Sequence, residues 1–113
     1  CSNGNVSLMA DLARRNDWVW DAVLGAEFAR AYKPMAAVYL ASAAAFDCAP
    51  GEAMMVAAHS SDLAAAAAAG LRTAFVARAD EAGPGRGETV AKSPVDLSAA
   101  DLLDLADKLD ARV

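Results

Sequence analysis

Cysteine is nearly missing from this sequence. Cys1 and Cys48 are the only two among 113 residues, too few for a disulfide framework and without the spacing of a metal site. Positive charge is also short: 10 Lys and Arg stand against 15 Asp and Glu, a formal net charge of -5. That balance argues against phosphate backbones and anionic membranes as main partners, so neither nucleic acid nor membrane binding is expected. Long apolar runs are lacking too. The longest uncharged apolar-rich stretch, Pro34 to Phe46, is shorter than the roughly 20 residues a bilayer requires. The first residues, Cys1 to Asn5, are polar and do not read as a secretory signal. A soluble cytoplasmic protein is the expectation. Position 1 is not methionine and the chain opens on a turn-like S-N-G-N, so a fragment or a processed chain is expected. No glycine-rich phosphate loop and no repeat period is present.

What the chain has in excess is alanine, 31 residues within a hydrophobic share of 57%. A methyl group buries little area, so the core must rely on close helix–sheet approach more than on bulky side chains. Helical spacing runs from Val6 through Leu8, Met9, Leu12 and Ala13 to Arg14 and Arg15, with Asn5 as N-cap. Ala22-Val23-Leu24 reads as a short strand. Pro34 suits the first turn of a helix continuing from Met35 to Phe46. After a turn at residues 49–52, Ala53 to Ala58 reads as a strand buried on both faces. His59 to Asp62 reads as a polar loop, Leu63 to Ala69 as a helix stopped by Gly70, and Leu71 to Val76 as another strand. Arg78 to Ser93, rich in Gly, Pro and charge, is a surface loop. Ser98 is placed as N-cap, with Asp101 in the first turn, of a terminal amphipathic helix carrying Leu102, Leu103, Leu105, Ala106 and Leu109. Strands alternating with helices predict an α/β fold with a parallel sheet. In such sheets the ligand site lies beyond the carboxyl ends of the strands. The polar residues of interest are therefore Ser2, Asn3, Lys33, His59, Ser60, Ser61 and Asp62.

Four segments follow in order: S-N-G-N from Ser2, A-R-A-Y-K-P from Ala29, V-A-A-H-S-S-D-L-A-A-A from Val56 and G-L-R-T-A-F-V from Gly70. Their order and spacing resemble the haloacid dehalogenase superfamily, and within it the C-terminal half of the type II, L-specific 2-haloacid dehalogenases. The resemblance implies a Rossmann-like parallel sheet with flanking helices, with residues 1–113 as the C-terminal part of the core domain. The N-terminal strand bearing the nucleophilic aspartate and the cap are not in this chain. In the family that strand lies between the strand ending at Ser2 and the strand Ala53–Ala58. The 113 residues alone are therefore not expected to form a stable monomer.

The implied reaction is hydrolytic dehalogenation of small 2-haloalkanoic acids to 2-hydroxy acids through an aspartyl ester. Lys33, Asp62 and Ser2 are the catalytic candidates that the resemblance assigns. Ser2, Asn3, Tyr39 and His59 are the candidates for holding substrate or halide. A cation at Lys33 would keep the aspartate ionised. The Asn3 amide N–H would face the departing halide, whose charge grows in the transition state. Asp62 would balance the lysine and place the hydrolytic water, and Tyr39 would orient a carboxylate oxygen. His59 falls where relatives often carry asparagine, and no role is assigned to it beyond lining the site. No cofactor and no metal is expected, and a homodimer is expected for the full-length enzyme.

Two other functions compete. One is a magnesium-dependent phosphatase of the same superfamily. Those members usually read G-D-x-x-x-D, whereas here Ala58 replaces the first acid, and a hard divalent cation wants several oxygen ligands. The other is a non-catalytic fragment that binds a small carboxylate or a protein partner. Taken singly, each residue has an ordinary structural reading: Ser2 and Asn3 as turn residues, Lys33 as a solvated loop lysine, Asp62 as a charge at a helix N-terminus. Their occurrence in order lifts them above it.

Overall fold

The computed structural model describes residues 1–111. Helix α1 (Val6–Arg15) begins where the Asn5 side chain accepts from the Leu8 amide at 2.8 Å and ends on Arg14 and Arg15, charges that suit a helix C-terminus. A short helix α2 (Ala26–Ala29) and helix α3 (Ala36–Ala44) follow. After a 3-10 turn at Pro50–Glu52, strand β1 (Met54–Ala57) leads into helix α4 (Ser60–Ala68). Strand β2 (Arg72–Val76), a long irregular stretch, strand β3 (Leu97–Ala99) and helix α5 (Leu102–Asp110) complete the order. The sheet is three-stranded and parallel, in the order β1-β2-β3.

β2 lies in the middle and is buried along four of its five residues, so its alternate side chains feed two cores. Phe75 points to the helical layer and packs with Tyr39, Met55, Leu63 and Ala66. Ala74 and Val76 point the other way and meet Ala99 and Leu105. The alanine-rich α4 fits the first core because Ala66 is fully buried and Ala65 and Ala69 pack beside it. Small side chains let the helix lie close to the sheet, as the composition predicts.

Four expectations are corrected. Ala22–Leu24 forms no strand. Its neighbourhood contains one parallel bridge, Ser2 to Gly25, in which the Ser2 amide donates to the Leu24 carbonyl at 3.2 Å and the Ala26 amide to the Ser2 carbonyl at 3.0 Å. One bridging residue cannot build a ladder. Gly25 permits the approach: its φ is 133°, and a Cβ there would collide with the Ser2 backbone. Pro34 stands in a turn ahead of α3 rather than in its first turn, after a cis Lys33–Pro34 bond. Ser98 is not an N-cap. It lies in β3 paired with Phe75, and Asp101 is the cap, accepting from the Asp104 amide at 2.8 Å. α4 starts at Ser60 rather than Leu63, for a reason that lies in the distant loop and is given below.

β1 pairs with β2 alone, and Ser2 is joined to Gly25 rather than to β1. Apolar side chains stand open on this side of the molecule, with Trp18 52% and Trp20 59% exposed. Among the described residues, no helix is long and apolar enough to cross a membrane.

Candidate active site

β1 carries the chain to the carboxyl end of the sheet, and α4 starts there. His59, Ser61 and Asp62 come from this corner, Asn3 from the loop ahead of α1, Lys33 and Pro34 from the turn ahead of α3, and Tyr39 from α3 itself. Together they line one cavity of about 330 Å³. Five of the six candidate residues thus meet, although they are separated by up to 59 positions in sequence number between Asn3 and Asp62 (62 − 3).

Asp62 is the hub. Lys33 Nζ donates to its Oδ2 at 2.8 Å, and the Tyr39 hydroxyl donates to its Oδ1 at 2.6 Å. The Lys33 and Asp62 side chains are only 18% and 15% exposed, so their attraction is less screened than on an open surface. Asp62 also sits in the first turn of α4, where the helix dipole favours a negative charge. Tyr39 is fully buried. Burial first, then the hydrogen bond to Asp62 and its charge, push the phenol well above its ordinary range. The hydroxyl is therefore a fixed donor at any working pH.

Asn3 accepts from the Lys33 backbone amide through Oδ1 at 2.8 Å. Only the oxygen can accept, so the two Nδ2 hydrogens are left for another partner. Ser2 does not line the cavity. Its Oγ accepts from the Gly4 amide at 3.0 Å, which leaves its hydroxyl hydrogen to donate. His59 occupies the N-cap position of α4 but makes no capping bond. Its Nε2 lies 2.7 Å from Glu81 Oε2, and Glu81 Oε1 lies 3.5 Å from Arg78 Nη1.

The early start of α4 has its cause in the loop after β2. Glu88 Oε1 accepts from the Ser60 amide at 3.1 Å, and the Ser60 hydroxyl donates to Oε2 at 2.5 Å. The Lys92 amide donates to Ser60 Oγ at 2.8 Å, and Ser93 Oγ to the Ser60 carbonyl at 3.3 Å. A carboxylate 28 residues away thus does the capping that a local side chain usually does. The Ser60 hydroxyl, then its amide, hold the Glu88 carboxyl below its ordinary value, and Lys92 and His59 add to this. A depressed folded-state pKa gives stability that is present above the ordinary carboxylate range and lost as pH falls through it. Glu88→Gln is expected to flatten the acid limb of the stability curve as pH falls through and below the ordinary glutamate range. Parallel acid limbs for the two proteins in denaturant titrations count against this capping role.

Among the described residues, no group of three or more His, Cys, Asp and Glu side chains is arranged to hold a metal ion. Ala58, half-buried between β1 and His59, has no side-chain oxygen to offer a cation.

A parallel sheet with helices on both faces and a charged, partly buried cluster at one strand end make this an α/β protein with its candidate site at the carboxyl end of the sheet. The chain belongs to the HAD-hydrolase-like family, whose sequence model matches residues 31–105. A solved L-2-haloacid dehalogenase is similar at 48% identity and a TM-score of 0.92, over 97% of this chain and 48% of that one. A defluorinating L-2-haloacid dehalogenase is similar at 43% identity and a TM-score of 0.91, over 96% of this chain and 45% of that one. The L-2-haloacid dehalogenase of Xanthobacter autotrophicus, at 22% identity and a TM-score of 0.80, shares the fold over 99% of this chain and 54% of its own. The chain spans about half the length of these structures. No curated protein matches it.

Proposed function

We propose that residues 1–113 are the C-terminal part of a HAD-like core domain and carry one side of the active site of an L-2-haloacid dehalogenase. The substrates are small 2-haloalkanoic acids. An aspartate from outside these residues attacks the α-carbon. The carbon–halogen bond breaks, halide leaves with the electron pair, and an aspartyl ester forms. Water then cleaves the ester to a 2-hydroxy acid of inverted configuration.

Lys33 keeps the attacking carboxylate ionised and aimed. Asp62, gripped by Lys33 and Tyr39, fixes that lysine. Asn3 directs its Nδ2 hydrogens to the leaving halide, and Ser2, outside the cavity lining but next to Asn3, offers its hydroxyl hydrogen to the substrate carboxylate or to the attacking aspartate. The observation that supports this reading best is the Lys33–Asp62 pair at 2.8 Å in a cavity shared with Asn3, Tyr39 and His59. The test joins the N-terminal half of the 48%-identical dehalogenase ahead of Cys1 and measures chloride release from 2-chloropropionate. Catalytic release supports the reading, and none from the folded two-part protein sinks it.

Displacement from a monoanionic acid does not call for a divalent cation, and Ala58 removes a carboxylate that would hold one. Turnover by the two-part protein is therefore expected to survive EDTA unchanged. Collapse with EDTA and recovery with magnesium would place the chain on the phosphatase branch.

A further inference from the structure

Asp62 is held from two directions. Inside the cavity its oxygens accept from Lys33 and Tyr39. The backbone that carries it, the first turn of α4, is held from outside. The N-cap position there belongs to His59, whose ring lines the cavity and faces Glu81 instead of capping the helix. A helix start with no local cap leaves amides without acceptors. Ser60 is the neighbour of Ser61 and Asp62, which enter the cavity, and is itself only 7% exposed. Every polar group of Ser60 is bonded to the loop after β2. Its amide and hydroxyl donate to Glu88, its Oγ accepts from the Lys92 amide, and its carbonyl accepts from Ser93 Oγ.

Glu88 is anchored in turn. Its carbonyl accepts from the Arg78 amide at 3.2 Å, and the Gly87 amide donates to the Ala79 carbonyl at 2.6 Å. A Cβ at Gly87 would collide with the Arg78 carbonyl, so glycine lets the two arms of the loop close at their base. Arg78 lies two positions beyond the end of β2. The carboxylate is thus carried by the central strand and not by a free loop.

We propose that Glu88 is a positioning residue for the dehalogenation: acting through Ser60, it fixes the first turn of α4 and with it the place of the Asp62 carboxylate against Lys33. The inference rests on the dehalogenase reading above. Glu88 touches no substrate and moves no proton. A reacting constellation tolerates little displacement, and a shift of about 1 Å can cost on the order of 100-fold in rate. Without Glu88, the Ser60 amide and hydroxyl lose their acceptor and the turn that holds Asp62 loosens. Ser2 and Asn3, assigned to substrate and halide, are bonded to Gly4 and Lys33 instead. Turnover should therefore suffer more than binding.

The test measures kcat and KM for chloride release from 2-chloropropionate by the two-part protein, at a temperature where unfolding curves show each variant folded. Glu88→Ala is expected to lower kcat by about 10- to 100-fold, with KM within about threefold of the wild-type value. Glu88→Gln keeps the length but has one accepting oxygen for the two Ser60 donors, so its kcat should fall between Glu88→Ala and wild type. Glu88→Asp keeps both oxygens and should recover part of the loss. Amide exchange across residues 60–63 should quicken as kcat falls. A cap that served stability alone would lower the unfolding temperature and leave the kcat of the folded protein unchanged. Should Glu88→Ala not fold, Glu88→Gln decides on the same measurements. With chloride released by the wild-type protein, an unchanged kcat in the folded variants overturns this inference alone, as does a rise confined to KM. No release from the wild-type protein sinks the dehalogenase reading and this inference with it.

Discussion

Lys33→Ala and Asp62→Ala are each expected to lower dehalogenation by the two-part protein at least about 100-fold, the usual loss when a group stabilising charge at the reacting centre is removed. The two partners sit 2.8 Å apart with less than a fifth of either side chain exposed. Removing Lys33 leaves Asp62 with Tyr39 as its remaining hydrogen-bond partner and takes away the cation that holds the nucleophile ionised. Removing Asp62 frees the ammonium to swing away and deprives the buried Tyr39 hydroxyl of its acceptor. Residues that act as a unit are non-additive. The double variant should therefore be little worse than either single one. Steady-state chloride release checks this, and near-normal turnover in either single variant refutes the assigned roles.

Phe75→Ala is expected to cost about 3–5 kcal/mol of stability, the range for deleting a buried phenyl group. Phe75 is 1% exposed on the central strand and forms one wall of the cluster with Tyr39, Met55, Leu63 and Ala66. Helix α4 meets this cluster through Leu63 and otherwise only through the small side chains of Ala65 and Ala66, so little side-chain volume is at hand to fill the hole. Whole domains are stable by only about 5–15 kcal/mol, so this one side chain represents a large share. Urea unfolding of the two-part protein measures it. A loss under about 1 kcal/mol would mean that the site collapses freely and that the packing is looser than described. Tyr39 rests in the same cluster, so activity should fall as well.

The features read correctly from sequence are those with local causes. α1 announces itself through Asn5 and the Arg14-Arg15 pair, and the places of β1 and β2 through continuous apolar runs of strand length, although β1 is not buried on both faces as expected: Met55 is buried and Val56 is exposed. The ordered motifs name Asn3, Lys33, Tyr39, His59 and Asp62, and these five side chains line one cavity. What escaped depends on partners far along the chain. β3 is three residues long and exists because Leu97, Ser98 and Ala99 line up beside Ala74, Phe75 and Val76; its own sequence looks like a helix cap. Ala22–Leu24 has strand composition but only Ser2 beside it. Glu81 meets His59 across 22 positions from within a loop that reads as solvated surface, and no periodicity or motif marks it.

The stretch after β2 looks like the easiest part of the molecule to edit, since gly- and pro-rich surface loops normally tolerate trimming and insertion. Here it is bonded at both ends of its reach: Glu81 to His59, and Glu88, Lys92 and Ser93 to Ser60. Shortening it would uncap α4 and tilt the residue that holds Lys33. Anyone grafting this site onto another scaffold therefore has to move residues 59–93 as one block, loop included. In an engineered library, the positions safe to vary within it are those such as Ala82 and Pro84, whose side chains take no part in these bonds.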